Sequence, residues 1–387
     1  MQMRNQYNMI SKITQTFFLA FIVSTIPLQS AGSGQQDITL LFIGDIMGHD
    51  TQINSAFNND SGKYDYNDVF SYITPVISEA DIAVANLEVT LAGPPYKGYP
   101  QFSSPSALAV ACKNAGIDCL VTANNHSADR GITGITRTIL NLDSIGLPHT
   151  GTFTGLEDQK KNHPLILSSK GISMALLNYT YGTNGIRVDT PAIVNMLNKQ
   201  DIADDISIAE AQGHDLIVLF LHWGTEYDTI PSSEQVEMAE YFFSAGADLI
   251  IGSHPHVLQK MVWYKDESER NGRAVVYSLG NFVSNQRKPK TDGGSMVRIS
   301  LKKENGEIKI TEAGYYLTWV YTPVLASKLK FFILPCSLFE NRPSFFEKEA
   351  DFLQMKSFIS ESRQLLTNQN VNFNEYVYNG NCWLLNN

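Results

Sequence analysis

The stretch DLIVLFLHWGTEYDTIPSSEQVEMAEYFFSAGADLIIGSHPH (residues 215–256) reads as strand, helix, strand. Residues 216–221 form an unbroken apolar run of strand length, as expected of a strand buried on both faces. Ser232 and Gln235 have the spacing of a capping box. Val236, Ala239, Phe242 and Phe243 form the apolar stripe of the helix that follows, and Gly246 ends it. Residues 248–254 repeat the buried-strand pattern. Both strands run into histidine, His222 in FLHWGTE and the pair His254 and His256 in GSHPH.

The same alternation extends toward the N-terminus. Residues 37–44, 82–88 and 119–125 read as buried strands. Helices are predicted over 68–80, 104–115 and 132–145, the last two closed by Gly116 and Gly146. Further on, 172–185 reads as a strand running into a Gly/Asn turn and 201–212 as a helix. Residues 274–282, 295–302 and 307–320 read as strands of antiparallel character. This rhythm predicts an α/β sheet with helices on its faces. It fades after about residue 325, so 326–387 is read as an appended segment with a polar helix near 345–366.

With 387 residues, 43% hydrophobic and 18% charged, the chain can bury a sizeable core. Its net charge of −10 argues against nucleic-acid binding, which needs a basic face. It does not exclude an anionic substrate, because bound cations reverse a local field. Residues 1–31 read as a secretory signal: Arg4 and Lys12, then the apolar run 17–28, then small residues from Ser30 to Ser33. The run is shorter than a membrane helix needs. Cleavage near Ser30 or Ala31 is expected, with an uncleaved anchor as the alternative, and either way an exported protein at the periplasm or cell surface. None of the four cysteines has CxxC spacing. In an oxidising compartment Cys336 and Cys382 can pair, while Cys112 and Cys119 read as buried thiols.

The chemistry collects where strands end. Asp45 follows LLFIG, Asn86 and Glu88 follow IAVA, and Asn125 and His126 follow LVTA. His222 follows LIVLFL, and His254 and His256 follow LIIGS. Open α/β sheets bind ligands beyond the carboxyl ends of their strands. Carboxylate, carboxamide and imidazole together suit zinc, manganese or iron. One or two such ions, the pair about 3.5–4 Å apart, clamp a phosphoryl group and activate a water. Taken singly, a histidine after a strand is more often a satisfied polar residue than a ligand, Asp45 can be a turn residue and Glu88 a solvated strand end. Asn281, in YSLGNF, and Asn86 are candidates to line the site. Trp223 reads equally as a core residue, a wall or a substrate platform.

GDIM, NLE, NNH, HWG, GSHPHV and SLGNF, in this order and with NYTYGTNG at 178–185, resemble the CapA family of capsule and poly-γ-glutamate biosynthesis proteins over residues 37–322. That family in turn resembles the calcineurin-like metallophosphoesterases. The resemblance implies a sandwich of two mixed β-sheets flanked by helices, with a dinuclear metal site. It implies Asp45, Glu88, Asn125, His222, His254 and His256 as metal ligands, with Glu88 bridging. It further implies His126 as proton donor to the leaving group, with Asn125 stabilising the reacting centre. Met47 stands where the metallophosphoesterases carry a histidine, and thioether is a poor ligand for hard cations. One of two metal positions therefore lacks a ligand unless His49 supplies it, and a single-metal site stays open.

Two functions follow. One is an exported metal-dependent hydrolase acting on a phosphoester or anionic polymer. The other is a non-catalytic accessory or polymer-binding partner of a membrane-bound polymer synthase. A purely structural α/β domain ranks behind both.

Overall fold

A computed structural model describes residues 36–265 and 272–386, so the signal read over 1–31 lies outside the described residues. These described residues form one compact unit. The first sheet is built around β1 (Gln36–Ile46). On one side of β1 lie β2 (Ile82–Leu87), β3 (Cys119–Val121) and β4 (His149–Thr150), all parallel. The second sheet contains β5 (Leu165–Ser169), β6 (Ile172–Thr180), β7 (Leu216–His222), β8 (Leu249–Ser253), β9 (Met261–Tyr264) and β10 (Arg273–Val276). Its order is β9-β10-β8-β7-β6-β5, parallel through β6, β7, β8 and β10 and antiparallel at both edges. The chain then returns to the first sheet. There β11 (Asn281–Val283) pairs parallel with the end of β1, and β12 (Gly293–Glu304) and β13 (Glu307–Tyr321) extend it antiparallel. The expected pair of mixed α/β sheets is present.

Strand periodicity explains the layering, because alternate side chains leave opposite faces. From β1, Leu40 and Phe42 pack with Val84, Leu176, Val218, Phe220 and Ile251 between the sheets. Their neighbours Leu41 and Ile43 turn to the other face, under Phe70, Leu108, Cys112 and Leu142. On the far side of the second sheet, Leu219, Leu221 and Ile250 lie under Ile202 and Ile206 of the helix Lys199–Ala211 and under Ala239, Phe242 and Phe243 of the helix Ser233–Ala245. Phe42 and Phe220 are fully buried, each stabilising the fold by about 2–3 kcal/mol. The Ser233–Ala245 helix starts and stops as read. The Ser232 hydroxyl accepts from the Gln235 N–H at 3.2 Å, and Gly246 closes the helix at φ 115°.

Three expectations change. The helix predicted over 68–80 is two short turns, Asn67–Phe70 and Thr74–Ile77. Pro75 has no N–H to donate and crowds the preceding turn, so one continuous helix cannot run through it. The strand read over 274–282 is split between the two sheets, with Gly280 at φ 70° in the crossing. The possible Cys336–Cys382 bridge does not form: Cys336 is a free thiol in the core and Cys382 a free thiol at the surface.

Residues 326–387, read as an appended segment, complete the first sheet. β14 (Phe332–Pro335) and β15 (Asn374–Tyr378) both pair with β13, and β16 (Trp383–Leu385) pairs with β15. The helix Glu349–Gln369 places Met355, Phe358, Ile359 and Leu366 in the inter-sheet core. Its Arg363 is held by two carboxylates, donating to Glu340 at 2.7 and 3.0 Å and to Glu375 at 2.7 and 2.9 Å.

Candidate metal centre

Asp45 reaches the site through a break in register. The β1–β2 pairing shifts between Ile43 and Asp45, which sets Asp45 opposite Asn86 on one side and opposite Asn281 on the other. Gly44 permits this approach, since a Cβ there would lie 2.2 Å from the Gly280 carbonyl oxygen. Glu88 immediately follows β2, His222 ends β7, and His254 and His256 follow β8. Both of these last histidines have positive φ, 103° and 59°, on either side of Pro255. Each such backbone costs about 1–3 kcal/mol and persists where the surroundings enforce it. Here the Tyr227 N–H donates to the Pro255 carbonyl at 2.8 Å.

The side chains converge. Asp45, Glu88, Asn125, His222, His254 and His256 are all buried. Two groups, Glu88 with His222 and His254, and Asp45 with Glu88 and His256, each present ligand atoms within 4.8 Å of one another. Glu88 belongs to both. Its Oε1 lies 3.6 Å from His222 Nε2 and 3.8 Å from His256 Nε2, too far for hydrogen bonds. Among the described residues, neither carboxylate oxygen has a hydrogen-bond partner, and nor does His254 Nδ1. A fully buried carboxylate left unpaired costs several kcal/mol, and a cation among these atoms removes that cost. The residues therefore fit a divalent ion.

In the metal-free site Glu88 favours its protonated form, whose proton a cation would displace, and His222 and His254 are neutral. Burial first, and the neighbouring Asp45 second, push the Glu88 carboxyl well above the usual range. Burial, then His256, lowers His254 to about 4. Burial, then His254 and His256, holds His222 well below its ordinary value. Neutral imidazole is the form that binds metal.

Neighbouring groups decide which nitrogen faces inward. His222 Nδ1 lies 2.8 Å from Ser253 Oγ, while Nε2 lies 2.9 Å from Asn125 Oδ1. With Ser253 accepting from Nδ1–H, the Nε2 lone pair converges with Asn125 Oδ1 and Glu88 Oε1. His256 Nδ1 lies 3.0 Å from Asn281 Oδ1 and 3.2 Å from Asp45 Oδ2, leaving Nε2 toward Glu88. Asn281 is itself anchored, donating to the Thr291 carbonyl at 2.8 Å. Asn86 donates to Asp45 Oδ1 at 2.8 Å. Asn86 and Asn281, read as lining residues, thus orient ligands. Trp223 is buried, with its indole N–H donating to the Tyr277 carbonyl at 3.0 Å.

His126 lies in the same loop as Asn125. Its Nδ1 is 2.8 Å from Asp129 Oδ2, which also accepts from the Phe102 N–H at 2.6 Å, and its ring meets Phe102 edge-on at 4.6 Å. A buried carboxylate on Nδ1 fixes the tautomer and leaves Nε2 for proton transfer. The loop is tied across the sheets by Asn178, whose Oδ1 accepts from the Ala123 N–H at 2.7 Å. Met47 is buried in the core, with Sδ 3.7 Å from Ser284 Oγ. His49 does not replace it: its Nδ1 lies 3.0 Å from Gln52 Oε1 and accepts from the Asn285 N–H at 3.3 Å. His49 belongs to neither of the two ligand groups found among the described residues. The sequence alone does not single out Ser253, Asp129 or Asn178. Asp129 alone carries a local signal there, three residues after His126 in a turn-rich loop.

A family model described as "Bacterial capsule synthesis protein PGA_cap" matches residues 39–286. The chain is 30% identical over 285 residues to "Capsule biosynthesis protein CapA" of Bacillus anthracis, covering 70% of this chain and 65% of that one. It is also 30% identical over 254 residues to "PGA biosynthesis protein CapA" of Bacillus subtilis (strain 168), covering 63% and 64%. The chain thus spans slightly under two thirds of the length of these relatives. Among solved structures it is similar to the NAD nucleotidase NadN of Haemophilus influenzae, with a TM-score of 0.47 at 12% identity over 85% of this chain and 61% of that one. It is similar to the calcineurin-like phosphoesterase YfkN from Bacillus subtilis, with a TM-score of 0.44 at 12% identity over 85% and 98%. The matched span of residues 39–286 runs from β1 through the strand that brings Asn281 to His256, and so takes in each candidate ligand; the chain belongs to the bacterial capsule synthesis family PGA_cap.

Proposed function

We propose that this chain is an exported, metal-dependent hydrolase of phosphoesterase type that serves assembly of a capsule or related anionic polymer. The observation that carries the reading is Glu88, a buried carboxylate shared by two ligand groups and without a hydrogen-bond partner. Glu88, His222, His254 and Asn125 would hold one cation, and Asp45, Glu88 and His256 a second, with zinc, manganese or iron suited to this donor set. Such a cation supplies Lewis-acid polarisation of the substrate and lowers the pKa of a water.

The chain's own groups do the rest. His126 delivers a proton from Nε2 to the leaving oxygen while Asp129 holds Nδ1–H and stabilises the imidazolium form. Asn281 and Asn86 keep His256 and Asp45 aimed inward. These groups are buried, and a low local dielectric strengthens every charge interaction among them. Export is supported by Arg4, Lys12 and the apolar run 17–28. A phosphoester, or a bond in an anionic polymer handled beside a membrane-bound synthase, is the expected substrate.

The test is metal analysis of the purified protein together with a chromogenic phosphodiester and phosphomonoester assay. Stoichiometric metal, with turnover abolished by His222→Ala, is expected. Protein that binds no cation would defeat the proposal. Met47 favours a second reading, an accessory protein that retains the cation for binding alone, since its thioether contacts Ser284 and leaves the Asp45 group one ligand short. Bound metal without turnover on any phosphoester, and with affinity for an anionic polymer, would select that reading.

A further inference from the structure

A cavity of about 340 Å³ adjoins the metal centre and is assigned no role by the chemistry above. Tyr181, Leu197, Trp223, Ser232, Gln235 and Met238 line it. One of these walls touches the metal centre as well. The Tyr181 ring lies 4.5 Å from the His254 ring and stacks at 6.3 Å on that of His222. Tyr181 is 47% exposed and both lines the cavity and touches the ligand rings.

The lining mixes an indole, a phenol, a leucine and a methionine with the hydroxyls of Thr225, Ser232 and Ser233 and the Gln235 carboxamide. No Lys or Arg lines it, and Glu234 does. Such walls disfavour an anion and suit an uncharged ring with a few polar substituents. A cation lies near another ligand, where Lys288 sits 3.9 Å over the Tyr227 ring and Tyr227 lies 6.3 Å from His256.

We propose that this cavity is a substrate subsite that takes an uncharged, ring-sized group attached to the ester whose phosphoryl end meets the metal centre. The inference rests on the hydrolase reading for its orientation, but it is tested by binding and not by turnover.

The experiment is calorimetric titration of the zinc-loaded full chain with inorganic phosphate, phenyl phosphate and 4-carboxyphenyl phosphate. Phenyl phosphate should bind about tenfold or more tighter than phosphate, the worth of burying part of an aryl ring. The para carboxylate should abolish that gain. Met238→Trp and Leu197→Trp, which fill the cavity without touching a ligand, should each erase the gain and leave phosphate affinity unchanged. Thermal melts identify a variant that fails to fold, and two variants on separate residues keep the test open. Equal affinity for phosphate and phenyl phosphate in the parent protein overturns the proposal, as does a gain that survives in a folded variant. A gain that survives the para carboxylate overturns the uncharged class. Ring-dependent binding without turnover sustains the subsite and removes the hydrolase. Turnover without ring dependence does the reverse.

Discussion

Replacing Ser253 by alanine isolates the device that points His222 at the metal. Ser253 Oγ is fully buried and lies 2.8 Å from His222 Nδ1. The other polar neighbour there is Asn86 Nδ2, 3.4 Å from the same nitrogen. An amide N–H₂ only donates, so it cannot accept from Nδ1–H. In Ser253→Ala the favoured tautomer therefore inverts: Nδ1 accepts from Asn86, and Nε2 carries the hydrogen toward Asn125 Oδ1 and Glu88. The lone pair meant for the cation is lost unless the proton is moved back against an unpartnered Nδ1–H. Loss of such an orienting group weakens metal binding about 10- to 100-fold, or about 1.4–2.8 kcal/mol. The assay is calorimetric titration of metal-stripped protein with zinc. Stability of the stripped protein should fall by only about 1 kcal/mol, the net worth of one hydrogen bond. Zinc affinity within about twofold of the parent protein would refute the assignment of Nε2 as ligand.

Other substitutions probe the remaining parts. Met47→Leu, a volume-conserving change, should leave metal affinity and count unaltered because the sulfur faces Ser284; a lost metal would make Met47 a ligand. Asp129→Asn should lower kcat for methyl phosphate by about 10²-fold, yet much less for p-nitrophenyl phosphate, whose leaving group needs no proton; equal losses would remove His126 from proton transfer. Glu88→Gln should stabilise the metal-stripped protein at pH 8 by about 1 kcal/mol or more, because each tenfold difference in proton affinity between the folded and unfolded chain is worth about 1.4 kcal/mol. Burial, then Asp45, raises the folded-state value of Glu88, so its stability contribution is complete below the unfolded value near 4.5 and is lost as pH rises through the folded one. Denaturant unfolding of both proteins at pH 4 and pH 8 should show the advantage only at the higher pH, and zinc should stabilise only the parent.

Much of this architecture was legible because buried strands are written as contiguous apolar runs. The runs ending at Asp45, Glu88, His222 and His254 are the strands of the structure, and their carboxyl ends meet at the centre. What escaped depends on partners remote in sequence. Ser253 and Asn178 look like ordinary strand residues until the strands beside them are known. The register shift that aims Asp45 depends on Gly44 meeting Gly280, more than two hundred residues away. The tail concealed itself in another way. Its helix buries Met355, Phe358, Ile359 and Leu366 among many polar residues, and its short strands Asn374–Tyr378 and Trp383–Leu385 gain stability only by joining a sheet already formed.

The central claim, that Glu88 is a shared ligand of a buried cation, is tested most directly by an anomalous difference map from crystals of the metal-loaded protein. The account predicts a peak among Glu88, His222, His254 and Asn125, with any second peak among Asp45, Glu88 and His256. A map from fully loaded protein with no peak within coordination distance of Glu88 would contradict it.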